Sequence, residues 1–181
     1  MIKFILLGFL NYGPMAGYDL KQAIDGSSAH FWHAHHSQIY TTLRHMEGDG
    51  LVTSTLIQDA AGPDRRVYTV TDAGTAALKT WLDQPLTQPS AIKEELLVRL
   101  FFSARRDPQD VLAELRVQSA LHREKAAVYE GLAAHMTDAA PAELGLERDQ
   151  AFWHLTLDMG RRYEAMYLEW LDHAIQTVEG L

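Results

Sequence analysis

SQIYTTLRHMEGDGLV, residues 37–52, reads as a short amphipathic helix, a glycine-containing stop and the entry into a strand. Ile39, Leu43 and Met46 recur at steps of four and three, so they share one face of a 3.6-residue helix and can be buried together. Ser37, Gln38, Thr41, Arg44 and His45 then fall on the opposite face. Short hydrogen-bonding side chains and one Arg on a helix with a dry back are what reading base edges in a major groove requires. An ordinary surface helix that is polar outside has the same pattern.

Outward from this stretch, residues 2–10 carry apolar positions at helical spacing and stop at Asn11-Tyr12-Gly13-Pro14, a turn signal. A second helix is expected from about Met15 to Ile24, with Tyr18, Leu20 and Ile24 as inward candidates and Gly26-Ser27-Ser28 closing it. Phe31-Trp32 reads as an apolar plug in an irregular segment from Ala29 to His36. Residues 51–57 and 66–70 are β-branched runs separated by Asp59-Ala60-Ala61-Gly62-Pro63-Asp64, which predicts a hairpin with a long tip. Thr71 is a good N-cap for a helix from Asp72 to about Leu82. Three helices, a two-stranded hairpin and a fourth helix describe a winged helix-turn-helix, with Arg65 and Arg66 at the base of the wing.

The fold class expected is therefore mainly α. A winged helix-turn-helix domain over residues 1–84 precedes an all-α dimerisation domain over 91–181, joined by a proline-containing linker at about 85–90. Leu96, Leu97, Leu100 and Phe101 form an apolar stripe ending near Arg106-Asp107-Pro108. A long helix from Gln109 to about His135 carries Leu112, Leu115, Ser119, His122, Ala126, Tyr129, Ala133 and Met136 at three/four spacing. Pro141 and Gly145 mark a break. A last helix from about Glu147 to Val178 aligns Phe152, Leu155, Met159, Tyr163, Met166, Trp170, Ala174 and Val178, and would be roughly 45 Å long. Stripes of that length pair with one another or with a second copy of the chain. Leu97, Phe101, Phe152, Leu155, Met159, Tyr163, Met166 and Trp170 are the expected dimer contacts.

Composition narrows the functional classes. Nearly half of the 181 residues are apolar, yet no run approaches the roughly 20 that would span a bilayer. The opening MIKFILLGFLNYG has one Lys, no small-residue cleavage site and helical apolar spacing, so it is read as a helix rather than a secretory signal. The absence of cysteine excludes disulfides and thiolate metal sites and fits a cytoplasmic protein. The net charge of −8 is unevenly spread: residues 1–85 hold six Lys/Arg against eight Asp/Glu, and residues 86–181 ten against sixteen. DNA binding must then rely on a few well-placed cations and on doubling in a dimer, because non-specific affinity comes mainly from phosphate neutralisation.

These residues also carry a family resemblance. GPMAGYDL (13–20), FWHAHHSQIYTTLRHMEGDGLV (31–52), RVYTVTDAGTAALKTWL (66–82), EELLVRLFF (94–102) and MGRRYEAMYLEWLDHAI (159–175) together resemble the PadR-type transcriptional regulators. The subgroup resembled is the longer one, whose helical C-terminal domain is similar to that of virulence-activator regulators. Ala16, where a polar residue is frequent, and the His-rich HAHH depart from the pattern.

The resemblance implies a homodimer on double-stranded DNA, at an inverted repeat in a promoter, usually repressing. It places Ser37, Gln38, Tyr40, Thr41 and Arg44 on the recognition helix, with Arg44 toward guanine or a phosphate and Gln38 toward an adenine edge. It places Arg65 and Arg66 on the wing against phosphates or a minor groove, and Tyr18 and Lys21 against the DNA backbone. Tyr40 has a packing alternative, against Trp32. The resemblance further implies that some members respond to small aromatic acids or drugs, for which Trp32, Trp81, Trp153, Trp170, Tyr163, Met159 and Met166 supply surface, although the same stripe serves as dimer core.

No hydrolase, metalloprotease or phosphate-cradling motif is present, so no catalytic residue and no cofactor is expected. Asp19, Asp25, Glu47 and Asp49 read as helix-surface or cap residues. His30, His33, His35 and His36 could hold a transition metal, but no neighbouring carboxylate or thiolate completes a site, and a solvated loop is the expectation. A winged-helix protein-interaction module without specific DNA binding remains the alternative function.

Overall fold

The computed structural model describes residues 1–27, 34–58, 64–91, 93–138 and 145–181, with backbone alone for 135–138. The Phe31-Trp32 plug, His30, His33, the hairpin tip at 59–63 and the break at Pro141 lie outside these residues. The chain divides into two compact units, Met1–Ser90 and Ala91–Leu181.

In the first unit α1 (Ile2–Tyr12), β1 (Met15–Ala16), α2 (Gly17–Ser27), α3 (His36–Gly48), β2 (Val52–Ile57), β3 (Arg65–Val70) and α4 (Asp72–Leu82) follow in order. Leu6, Leu7 and Leu10 of α1 meet Leu20 and Ile24 of α2, Ile39, Leu43 and Met46 of α3, and Val52 and Tyr68 of the sheet in one core. The hairpin pairs Val52 with Val70 through to Ile57 with Arg65. The sheet has a third strand that local patterning does not reveal. Met15 and Ala16 pair antiparallel with Tyr68 and Val67, so α2 starts at Gly17 rather than at Met15. Tyr18, expected to point inward, is exposed.

Two joints fix α3 and α4 to the hairpin. Gly50, at φ 71°, turns the chain out of α3, and the Leu51 amide donates to the Met46 carbonyl at 2.8 Å. At the start of α4 the Thr71 hydroxyl accepts from the Gly74 amide (3.1 Å) and donates to the Gly50 carbonyl (2.8 Å). A Cβ on Gly74 would lie 2.2 Å from the Leu51 carbonyl oxygen, so only glycine allows this close approach. Trp81 stacks on Phe4 with ring centroids 4.5 Å apart.

In the second unit α5 (Glu95–Phe101) and a 3-10 turn (Ser103–Arg105) precede α6 (Pro108–Asp138) and α7 (Glu147–Glu179). The inner face of α6 is the expected one, with Leu112, Leu115, Ser119, His122 and Tyr129 buried. α7 differs. It buries Leu157, Gly160, Glu164, Tyr167 and Leu171, a stripe about 100° around the helix from the apolar stripe read in the sequence. The buried stripe is partly polar: His122 Nδ1 pairs with Glu164 Oε2, and Tyr167 stacks on His122 at 3.9 Å. Gly160 lets the Tyr129 ring lie against the helix, where a Cβ would come within 2.3 Å of it. Leu155 and Met159, on the other stripe, are 64% and 63% exposed. Phe152, Met166, Leu97 and Phe101 are exposed as well, while Tyr163 tilts against Tyr167. Trp170, Ala174 and Val178 of that stripe are half-buried, packing partly against the core of Leu96, Val111, Leu115, Tyr167 and Leu171 within their own unit.

Burial, reinforced by the Glu94 and Glu164 carboxylates, pushes the Tyr167 phenol up to about 12. A phenol ionises near 10 in the unfolded chain, so Tyr167 stabilises the fold below that pH and loses the contribution as pH rises toward 12. Alkaline unfolding followed by helix circular dichroism should therefore show part of the stability loss between about pH 10 and 12 vanishing in Tyr167→Phe.

Candidate nucleic-acid interface

α3 presents one dry and one wet side. Ile39, Leu43 and Met46 are buried, and Ser37, Gln38, Tyr40, Thr41, Arg44 and His45 are all exposed. The spacing that buries the first set turns the second outward, so the polar ridge follows from the core beneath it. Arg44 Nη2 reaches the Thr41 hydroxyl at 3.4 Å and, among the described residues, forms no ion pair. The Gln38 side-chain oxygen accepts from the His35 amide at 3.2 Å, closing the N-terminus of α3. A two-point contact with adenine uses that same oxygen as its acceptor, so capping and base reading would share its two lone pairs.

Tyr40 lies over the first residue of α2. A Cβ on Gly17 would stand 2.4 Å from its ring, and His36 stacks on it with centroids 6.4 Å apart. The expected partner Trp32 is outside the described residues. Tyr40 thus combines an exposed edge with a packing contact that fastens α3 to α2.

The remaining candidate cations all have carboxylate partners. Lys21 pairs with Asp25 one turn along α2. Arg65, at the start of β3, reaches Asp19 of α2 at 2.8 Å. Arg66 donates to the Ser54 hydroxyl at 3.1 Å and lies 3.7 Å from Glu47, the acceptor of the Ser54 hydroxyl at 2.5 Å. Tyr18 accepts from the Gln22 amide nitrogen at 3.1 Å. Asp19, Glu47 and Ser54 are the participants that sequence reasoning missed. Asp19 and Glu47 look like cap or surface residues, and their partners lie 46 and 19 positions along the chain. Burial pushes the Tyr68 phenol up, with Arg66 opposing the shift. Among the described residues no group of three or more His, Asp or Glu is disposed to hold a metal ion, and no helix is long and apolar enough to cross a membrane.

Comparison with known proteins places this architecture. Residues 6–80 match the model of the transcriptional regulator PadR-like family, and residues 92–179 match the virulence activator alpha C-terminal model. The Mycobacterium tuberculosis protein named "Probable transcriptional regulator Rv1176c" is 31% identical over 175 residues, covering 91% of this chain and 90% of its own. The chain belongs to the PadR family of transcriptional regulators. The negative transcriptional regulator PadR of Bacillus subtilis is 27% identical over 184 residues, covering 99% of this chain and 98% of the relative.

Two structures of the B. subtilis protein share the fold. The one in complex with operator DNA has a TM-score of 0.83 at 24% identity and 98% coverage of both chains. The one in complex with p-coumaric acid has a TM-score of 0.76 at 23% identity, covering 98% of this chain and 95% of that one. The winged helix and the mainly helical class read from the sequence are those of this PadR-family protein, whose relatives are named as transcriptional regulators.

The contact between Gly17 and Tyr40 can be tested without DNA. Gly17→Ala should lower stability in denaturant unfolding, and Tyr40→Ala should absorb most of that loss, giving a coupling of about 0.5–3 kcal/mol in a double-mutant cycle.

Proposed function

We propose that this PadR-family protein is a cytoplasmic homodimeric repressor that reads an inverted repeat in promoter DNA with α3 and braces the duplex with the wing. The observation that carries the reading is the ridge of Ser37, Gln38, Tyr40, Thr41 and Arg44, exposed on a helix whose other side is fully buried. Arg44, with no carboxylate partner among the described residues, is the cation best placed to meet guanine O6 and N7 or a phosphate. Arg65, Arg66, Tyr18 and Lys21 are assigned to the phosphate backbone. The operator complex of the B. subtilis relative supports the same use of the fold.

Dimerisation is supported by α7. The helix buries one stripe inside its own unit and leaves Phe152, Leu155, Met159 and Met166 exposed along a second. Leu97 and Phe101 of α5 are exposed as well. Apolar surface of this extent marks an association site. A two-fold dimer spaces two recognition helices about one turn of DNA apart, which calls for a repeat with matching symmetry.

A small aromatic effector acting on the helical domain completes the reading. The p-coumaric acid complex of the B. subtilis relative supports it. So does the buried polar cluster between α6 and α7, where the Ser119 hydroxyl has no hydrogen-bond partner among the described residues.

A mobility shift on the gene's own promoter should be strongly salt-dependent, and Arg44→Ala should weaken it by about 1–3 kcal/mol. Wild type that binds no duplex even at low salt would hand the argument to a protein-interaction module. Leu155→Asp combined with Met159→Asp should convert a dimer into single subunits in sedimentation and abolish the shift. Wild type sedimenting as single subunits at working concentration would remove the dimer.

A further inference from the structure

We propose that Asp19 and Glu47 serve as built-in phosphate stand-ins, holding Arg65 and Arg66 until a duplex displaces them and so setting how tightly the protein binds any DNA. This rests on the DNA-reading function proposed above and adds to it a pair of residues that oppose binding. Asp19 lies in the first turn of α2, and its carboxylate oxygen accepts from both the Ala16 amide (3.1 Å) and Arg65 (2.8 Å). Glu47 lies in the last turn of α3 and is joined to Arg66 directly at 3.7 Å and through Ser54. Each arginine of β3 is thereby tied to one helix of the helix-turn-helix.

Both arginines are exposed, while Asp19 and Glu47 are half-buried: the arginine side chains are 54% and 55% accessible and the carboxylates 39% and 34%. Exposed ion pairs are weak and exchange their partners readily. A carboxylate offers a guanidinium two oxygens much as a phosphate does. For an arginine to bind DNA its carboxylate must be released and then sits, unpaired, beside the incoming phosphates. The cost is the same for every sequence, because phosphate contacts carry no base information. This accounts for both wing arginines being matched by acids, an arrangement that would otherwise work against a DNA-binding domain.

The alternative role, bracing the wing for binding, predicts the opposite sign. Fluorescence anisotropy on the full-length protein would use a random-sequence duplex and a duplex selected by the wild type from a random pool. Asp19→Asn keeps a capping oxygen and Glu47→Gln keeps an acceptor for Ser54. Each should raise affinity for both duplexes by about two- to fivefold at low salt, with the gain fading as salt screens it. The Asp19→Asn gain should shrink by more than half in an Arg65→Ala background.

Weaker or unchanged binding of the random duplex by both variants would overturn the proposal. A gain confined to the selected duplex, or an equal gain from Asp83→Asn, whose partner is Lys79 on α4, would overturn it as well. Wild type that binds neither duplex would instead remove the DNA-reading function itself.

Discussion

The packing of Ile39, Leu43 and Met46 against Leu6, Leu7, Leu10, Leu20 and Ile24 is the constraint on which the first unit depends. Once those side chains are dry, α3 has no rotational freedom left, and the identity of its solvent-facing residues is settled by helical geometry alone. Rotating α3 by one position would bury polar groups and expose three large apolar ones, at a cost of several kcal/mol of transfer free energy. Everything attached to α3 inherits that orientation. The Gly50 turn delivers β2, and Thr71 with Gly74 clamps α4 onto the same turn.

The second unit is held differently. Its helix pair combines leucine packing at one end with a buried polar group of His122, Glu164 and Tyr167 farther along. A buried hydrogen-bonded polar pair adds little net stability compared with apolar side chains of the same size, but removing one partner is severe because the other is left unsatisfied in a dry site. Such a pair therefore restricts register more than it strengthens the fold. α6 and α7 can slide past one another only by separating Glu164 from His122 and lifting Tyr129 off Gly160.

These differences explain what was legible in the residues. α3, the hairpin and α4 with its Thr71 cap are written in local spacing and turn chemistry, and they were readable within windows of a dozen residues. β1 is two residues long and exists only because Tyr68 and Val67 arrive some fifty positions later. The inner face of α7 was missed because apolar periodicity gives no weight to a glycine and a glutamate. Yet Gly160 and Glu164 are there for a ring and an imidazole on another helix. The outer stripe, richer in Met, Leu and Phe, is the one a pattern search finds. The ridge of the candidate site was legible for the same local reason as α3. The acid partners of Arg65 and Arg66 were not, since pairing across two helices leaves no trace in either segment.

The matching of Asp19 and Glu47 to the wing arginines bears on kinetics as well as affinity. A cation neutralised a few ångströms away presents the approaching polyanion with a dipole, whose field decays faster with distance than that of a lone charge. In a chain of net charge −8 this face would exert little long-range pull, so encounters would proceed at ordinary diffusional frequency rather than the accelerated rates of basic proteins. Discrimination would then be expressed in how long a complex lasts after touching down, with ionic strength acting chiefly on residence time.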